Sequence, residues 1–254
     1  MSLLEVSGLS RSFGGLKAVD DVGFAAEADR ITAVIGPNGA GKSTLFNLIS
    51  GGLAPDSGRV SFDGSDITRL PPHRVARLGI SRTFQAIKIS KRMTALENVM
   101  IGRHVRSRSG FPSGMLAAPW ARAEERSIRD AAMRAIERLG IAEYRDRQAG
   151  GLPFGVQRSV ELARALAAEP RLLLLDEPAS GLNARETRVL AELILGIRGM
   201  GIAILVVEHD MSLVMDVSDD VVVLNFGKKI AQGRPREIQS NREVIKIYLG
   251  EDDA

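Results

Sequence analysis

The chain has no cysteine among its 254 residues, which removes disulfides and thiolate-bound metals from its chemistry and fits a reducing compartment. It also lacks any apolar run near the ~20 residues a membrane-spanning helix requires. The longest are short blocks such as Ile202-Ala203-Ile204-Leu205-Val206-Val207. Met1-Ser2-Leu3-Leu4-Glu5 has neither the basic start nor the apolar core of a secretory signal. A cytoplasmic protein is expected, peripheral to the membrane if a membrane partner holds it there. Charge of one sign is scarce as well: 34 Lys and Arg against 31 Asp and Glu leave a net charge of +3. So small a surplus makes no case for a nucleic-acid partner. The sequence shows no internal repeat and no low-complexity tract. Its length suits one large α/β domain or a domain carrying an inserted subdomain.

What is present begins with Gly36-Pro37-Asn38-Gly39-Ala40-Gly41-Lys42-Ser43-Thr44. The apolar run Ile31-Thr32-Ala33-Val34-Ile35 before it reads as a buried strand, and Leu45, Leu48 and Ile49 after it recur at helical spacing. Strand, glycine-rich loop and helix form the context of a phosphate-binding loop. Glycines let successive N–H groups point into one concavity, and the helix N-terminus adds unpaired donors and partial positive charge. Lys42 would reach the β- and γ-phosphates and the Ser43 hydroxyl would ligate Mg²⁺. The chain therefore reads as a binder of a nucleoside triphosphate.

Residues 3–35 are β-rich, with strands around Leu4-Glu5-Val6 and Val22-Gly23-Phe24-Ala25 and a turn at Ser12-Phe13-Gly14-Gly15. By itself Phe13 reads as a core residue at a strand end, the other reading being a platform for a base. Arg59-Val60-Ser61-Phe62 is a further strand, Pro72 opens a brief helix that Gly79 ends, and strand character resumes at residues 80–84. His73, with no ligand-spaced partner, reads as a surface residue. From Ala86 to about Gly151 strand signals stop. A short helix is expected at 95–102, a basic loop at 103–110, an apolar loop at 111–120, and a helix carrying Ile128, Ala131, Ala132, Ala135, Ile136 and Leu139 on one face. Strand–helix alternation then returns: Leu172-Leu173-Leu174-Leu175 reads as a buried parallel strand. Helices are expected at 159–168, 184–199, 211–217 and 243–249, and strands at 202–207, 221–224 and 228–231.

Four stretches narrow the chemistry. Asp176-Glu177 ends the Leu run, placing two carboxylates at the carboxyl edge of the sheet. Asp176 can hold Mg²⁺ through water and Glu177 can deprotonate the attacking water. The others are Leu152-Pro153-Phe154-Gly155-Val156-Gln157-Arg158, Ser180-Gly181-Leu182-Asn183 and Val207-Glu208-His209-Asp210. With these motifs in this order, the chain resembles the ATP-binding subunits of ABC transporters over its whole length. Within that family it is most similar to the branched-chain amino acid (Liv-type) uptake ATPases, on Ser12-Phe13-Gly14-Gly15-Leu16-Lys17-Ala18-Val19, the long insert after Glu97-Asn98-Val99-Met100 and the ending Val244-Ile245-Lys246-Ile247-Tyr248-Leu249-Gly250.

The resemblance implies an α/β fold: a P-loop NTPase (RecA-like) core with an N-terminal antiparallel β-subdomain and an inserted α-helical subdomain. It divides the single ATPase domain into a core of residues 1–85 and 160–254 and an insert of 86–159. It makes Phe13 the adenine-stacking aromatic, residues 36–44 the phosphate loop, Gln85 the γ-phosphate sensor and a magnesium-site residue, and residues 152–157 the signature sequence, with Pro153, Gly155 and Gln157 on the nucleotide. It assigns Asp176 to Mg²⁺, Glu177 to the catalytic base, Ser180 to Asn183 to the D-loop and His209 to the switch histidine. ATP and Mg²⁺ are the implied cofactors. A homodimer, or a heterodimer with a paralogous ATPase, and transmembrane permease subunits are the implied partners; no nucleic acid is expected. Three residues depart from the pattern. Pro153 stands where a serine is usual and lacks a backbone N–H, Val156 stands at a glutamine-type position, and Asn183 stands where aspartate is common. The alternatives are a lipid or lipopolysaccharide exporter ATPase, or a soluble ABC ATPase acting on nucleic acid or ribosomes.

Overall fold

Hydrophobic periodicity is converted into two sheets and a helical insert. The computed structural model describes residues 2–106 and 119–249. Its strands are β1 (Ser2–Phe13), β2 (Leu16–Glu27), β3 (Ile31–Ile35), β4 (Ser57–Phe62), β5 (Ser65–Asp66), β6 (Ile80–Arg82), β7 (Leu172–Asp176), β8 (Ala203–Val207), β9 (Asp220–Asn225) and β10 (Lys228–Gly233). Its α-helices are α1 (Lys42–Ile49), α2 (Pro72–Leu78), α3 (Ala95–Arg103), α4 (Pro119–Arg138), α5 (Phe154–Ala167), α6 (Ala184–Arg198), α7 (Met211–Val217), α8 (Pro235–Gln239) and α9 (Arg242–Leu249). The chain divides into two compact units, residues 1–82 with 171–254, and residues 83–170.

In the first unit the long strands β1 and β2 form a hairpin closed at Phe13 and Leu16, within an antiparallel sheet ordered β2-β1-β4-β5. The second sheet is ordered β10-β9-β3-β8-β7-β6. Its strands β9, β3, β8, β7 and β6 run parallel, and β10 closes one edge antiparallel. Every residue of β3, β7 and β8 is buried, which is why these segments read as unbroken apolar runs rather than alternating ones. Register decides the rest. Val34 of β3 and Asp176 of β7 both pair with Val207 of β8, so the three strands end together. The loops that follow them, beginning at Gly36, Glu177 and Glu208, therefore leave the sheet side by side at its carboxyl edge.

In the second unit α3 opens with a capping box, the Thr94 hydroxyl accepting from the Glu97 N–H while Glu97 accepts from the Thr94 N–H. The apolar face expected around Ile128, Ala132 and Ile136 of α4 is buried. Asn98 of α3 is buried too; it accepts from the Ser90 N–H and donates to the carbonyls of Ser90 and Thr94, so the polar side chain fixes the preceding loop without an unsatisfied atom.

Three expectations differ from the structure. α5 begins at Phe154 rather than Ser159, because Pro153 has the extended geometry of an N-cap and so starts the helix instead of belonging to a loop. The division expected at 159/160 thus falls inside a helix, and the units meet at 82/83 and 170/171. The apolar loop expected at 111–120 lies outside the described residues as far as 118; Pro119 and Trp120 already belong to the backbone of α4. The short α8, with Pro235 at its first turn, went unforeseen in a stretch of mostly charged residues.

Candidate functional site

Phe13, Leu16, Lys17, Ala18, residues 38–44, Glu177 and Phe226 line a cavity of about 390 Å³ in the first unit. The phosphate loop is shaped by its glycines. Gly41 caps α1 in a left-handed conformation, φ 99°, and a Cβ there would lie 2.2 Å from the Ala18 carbonyl oxygen, so no other residue fits. No side chain caps α1, which leaves the N–H groups of its first turn available to an anion. Lys42 is 6% exposed and its ammonium donates to the carbonyls of Gly36 and Pro37, at 2.7 and 2.9 Å. Burial pushes this ammonium below the ordinary lysine value, and the carboxylates of Glu177 and Asp176 oppose that shift. Phe13 is 46% exposed; it lines the cavity rather than filling the core, with the Arg11 guanidinium 5.2 Å from its ring centre.

The two strand-end carboxylates occupy different settings. Asp176 is buried and paired with Arg82 at 2.8 Å. Arg82 also donates to Asn47 Oδ1 and Ser50 Oγ of the α1 segment, at 2.7 and 2.9 Å, so it ties the phosphate-loop helix to the acidic strand end. Glu177 lines the cavity and takes a left-handed backbone, φ 45°, a strained conformation for a residue of this size. Its N–H is held by the Val207 carbonyl at 2.9 Å. The His209 Nδ1 lies 3.7 Å from Glu177 Oε2. Sequence-predicted Lys42, Ser43, Asp176, Glu177 and His209 are thus gathered at one sheet edge.

The hydroxyl of Ser43 and the carboxylate of Asp176 are hard oxygen donors. Among the described residues no group of three or more His, Asp or Glu side chains could cage an ion. Few protein donors beside a phosphate cradle suit Mg²⁺, which keeps water and takes phosphate oxygens.

Gln85, Pro153, Gly155 and Gln157 belong to the second unit. There Gly155 lies in the first turn of α5, which no side chain caps, and the Gln157 amide donates back to the Leu152 carbonyl at 2.8 Å. Asn183, back in the first unit, caps α6 through bonds from the N–H groups of Arg185 and Glu186 at 3.0 and 3.1 Å. An amide serves this purpose as well as a carboxylate would.

Three supporting residues escape sequence reasoning. Glu208 is 0% exposed. Its Oε1 accepts from the Ala179 N–H at 2.8 Å, and its Oε2 from the N–H groups of His209 and Asp210 at 2.9 and 3.2 Å. One carboxylate therefore joins the loop after Glu177 to the loop of His209. Arg82 is the second. The third is Arg158 of α5, paired with Glu161 at 2.7 Å in full burial and donating to the carbonyls of Phe84 and Gln85 at 3.2 and 3.1 Å. Within its unit it fixes the backbone at Gln85 to the helix that follows Pro153. The only sequence sign of Glu208 is an acid directly after an unbroken apolar strand; the other two give none.

Comparison with known proteins agrees with this geometry. Residues 19–180 match the family described as ABC transporter, and residues 228–254 match that described as branched-chain amino acid ATP-binding cassette transporter. The chain is 44% identical to the high-affinity branched-chain amino acid transport ATP-binding protein BraF of Pseudomonas aeruginosa, over 98% of each chain. It is 42% identical to LivG of Escherichia coli, again over 98% of each. The ADP conformation of MJ1267, an ATP-binding cassette of an ABC transporter, superposes with a TM-score of 0.87 at 34% identity, over 99% of this chain and all of that one. The family and the phosphate-loop fold imply ATP and Mg²⁺, a dimeric ATPase and membrane permease partners. Among the described residues no helix is long and apolar enough to cross a membrane. The chain belongs to the ABC transporter family as an ATP-binding, ATP-hydrolysing subunit of the RecA-like type.

Proposed function

We propose that this subunit hydrolyses MgATP at the sheet edge described above and so drives the uptake of branched-chain amino acids through separate permease subunits. One observation supports the catalytic part: β3, β7 and β8 end in register, so Asp176 and Glu177 end β7 at the edge where Lys42 and Glu177 line one cavity and His209 lies 3.7 Å from Glu177. Lys42, held by its own loop's carbonyls, exchanges those bonds for β- and γ-phosphate oxygens. Ser43 and Asp176 supply donors for Mg²⁺, whose chemistry is to neutralise charge on the phosphates. Arg82, 2.8 Å from the Asp176 carboxylate, holds it in place. Glu177 accepts the proton of the attacking water, and His209, close to Glu177, orients the γ-phosphate. Phe13 stacks on the adenine, and Gln85 senses the γ-phosphate.

The signature region supplies the partner's half of the site in a two-fold dimer. Pro153 cannot donate an N–H, so contact falls to Gly155, the uncapped first turn of α5 and Gln157. Closure of the dimer on ATP and its release on hydrolysis then follow from contacts present with triphosphate alone. Similarity to BraF and LivG over nearly the full length of each, with the matching C-terminal segment, supports branched-chain amino acids as cargo.

The variant Glu177→Gln tests the catalytic reading. ATP binding is retained and an ATP-loaded dimer accumulates, while turnover falls by roughly 10²–10⁴-fold, the usual contribution of a general base. Steady-state hydrolysis near the wild-type rate would remove Glu177 from that role. Cargo is tested in vesicles carrying the permease that co-purifies with the chain: ATP-dependent uptake of leucine, isoleucine and valine, exceeding that of lysine, is expected.

A further inference from the structure

Among the described residues Phe226 is the most exposed large apolar side chain, at 84%. It sits in the two-residue turn between β9 and β10, where Asn225 pairs with Lys228. Phe226 and Gly227 both have positive φ, 45° and 79°, the pattern of a type I′ turn, whose first position ordinarily carries Asn, Asp or Gly. An aromatic ring is thus kept in a left-handed backbone and in water, against both conformational preference and hydrophobicity. Of the described non-glycine residues with positive φ that are not aspartates, Glu169, Glu177 and Phe226, the last two line the nucleotide cavity.

The turn is not free to drift. Gly227 donates to the Ala40 carbonyl of the phosphate loop at 3.1 Å and accepts from the Asp20 N–H at 2.8 Å. A Cβ on Gly227 would lie 3.0 Å from the Ala18 carbonyl oxygen, so the turn is pressed onto β2. Phe226 therefore shares the cavity with Phe13 and Leu16 of the β1–β2 hairpin while anchored to the loop that cradles phosphate.

We propose that Phe226 is a second base-binding residue, giving the adenine an aromatic wall from the β9–β10 turn in addition to Phe13. This rests on the reading of the cavity as the ATP site. Contact of this kind is with the face of the base and tolerates base identity, so it contributes affinity for purine nucleotides rather than discrimination between them.

Calorimetric titration of the full chain with MgATP, MgGTP and magnesium tripolyphosphate tests it, using wild type, Phe226→Asn and Phe226→Tyr. Asparagine suits the turn, so the variant isolates the ring from the backbone. Phe226→Asn is expected to weaken ATP and GTP alike, by about 5- to 150-fold if the ring stacks as base platforms do. Tripolyphosphate affinity should stay within about twofold, and Phe226→Tyr should bind ATP like wild type. An unchanged ATP Kd in Phe226→Asn overturns the proposal, as does an equal loss for ATP and tripolyphosphate, which would mean that the turn acts through Ala40 and the phosphate loop. Failure of the wild type to bind ATP at all would instead refute the cavity reading, and this inference with it.

Discussion

Replacing Glu208 by Gln exchanges one carboxylate oxygen for an NH₂ group with almost no change of volume, so its consequences come from the polar contacts of that buried group. The carboxylate is fully buried and receives three backbone N–H groups, one on Oε1 and two on Oε2. An amide keeps one acceptor and presents an NH₂ group where the other stood. The better orientation keeps the oxygen on His209 and Asp210 and sets the NH₂ against the Ala179 N–H. The Ala179 N–H is then orphaned and the NH₂ set against it is a second buried donor without an acceptor, each at about 1–3 kcal/mol. The reverse orientation deprives two backbone N–H groups of their acceptor instead of one and is disfavoured. Denaturant unfolding should therefore show a loss of at least about 1–3 kcal/mol with the m-value unchanged. Because the freed N–H belongs to the loop following Glu177, turnover should fall while the ATP Kd stays near wild type. Glu208→Ala leaves three donors without the carboxylate and opens a cavity, so its loss should be larger. If Glu208→Gln unfolded within about 0.5 kcal/mol of wild type, the span of ordinary surface substitutions, and hydrolysed ATP normally, the loop-joining role would be wrong.

Other perturbations follow from the same geometry. Arg82→Met leaves Asp176 buried without its cation, which should cost about 3–5 kcal/mol; differential scanning calorimetry should show MgADP restoring more stability to this variant than to wild type. Arg158→Met should cost up to ~3–5 kcal/mol by taking from buried Glu161 its nearer cation and leaving it Arg164 at 3.8 Å, whereas the double variant Arg158→Met with Glu161→Leu should recover part of it, as read by urea unfolding. Asp210 caps α7, accepting from the Ser212 hydroxyl and the N–H groups of Ser212 and Leu213, and these bonds, led by the Ser212 hydroxyl, hold it below its ordinary value of 3.8. A depressed carboxylate stabilises fully above the unfolded value, and the contribution is lost as pH falls through the folded one. Asp210→Ala should therefore cost about 0.5–2 kcal/mol at neutral pH, and the gap to wild type should close on acidification below 3.8.

The parts legible beforehand share one property: their geometry is local. A glycine-rich loop between an apolar strand and a helix is a contiguous unit, so residues 36–44 could be read directly. Asp176-Glu177 was legible because a run of four leucines, read as a buried strand, puts the two acids that follow it at the edge of the sheet. The start of α5 was misplaced because Pro-Phe-Gly satisfies a turn as readily as the first turn of a helix, and only packing chooses between them. Phe13 was ambiguous for a related reason: an aromatic at a strand end belongs to the core or to a cavity according to what lies opposite.

By itself, then, the sequence determined where the glycine-rich loop lies between strand and helix, which acids end the central strand, and the two-part alternation of sheet and helical insert. The first two are each encoded within about ten consecutive residues, and the third by the change of hydrophobic period along the chain. Only the tertiary structure decided that Glu208 bridges two loops, that Arg82 pairs with Asp176, that Arg158 anchors the backbone at Gln85, and that Phe226 lines the cavity beside the glycine-rich loop. Those roles arise from partners 29 to 94 positions apart in the chain for Glu208 with Ala179, Arg158 with Phe84 and Arg82 with Asp176. They depend on parallel strand register and loop docking, which no local pattern carries.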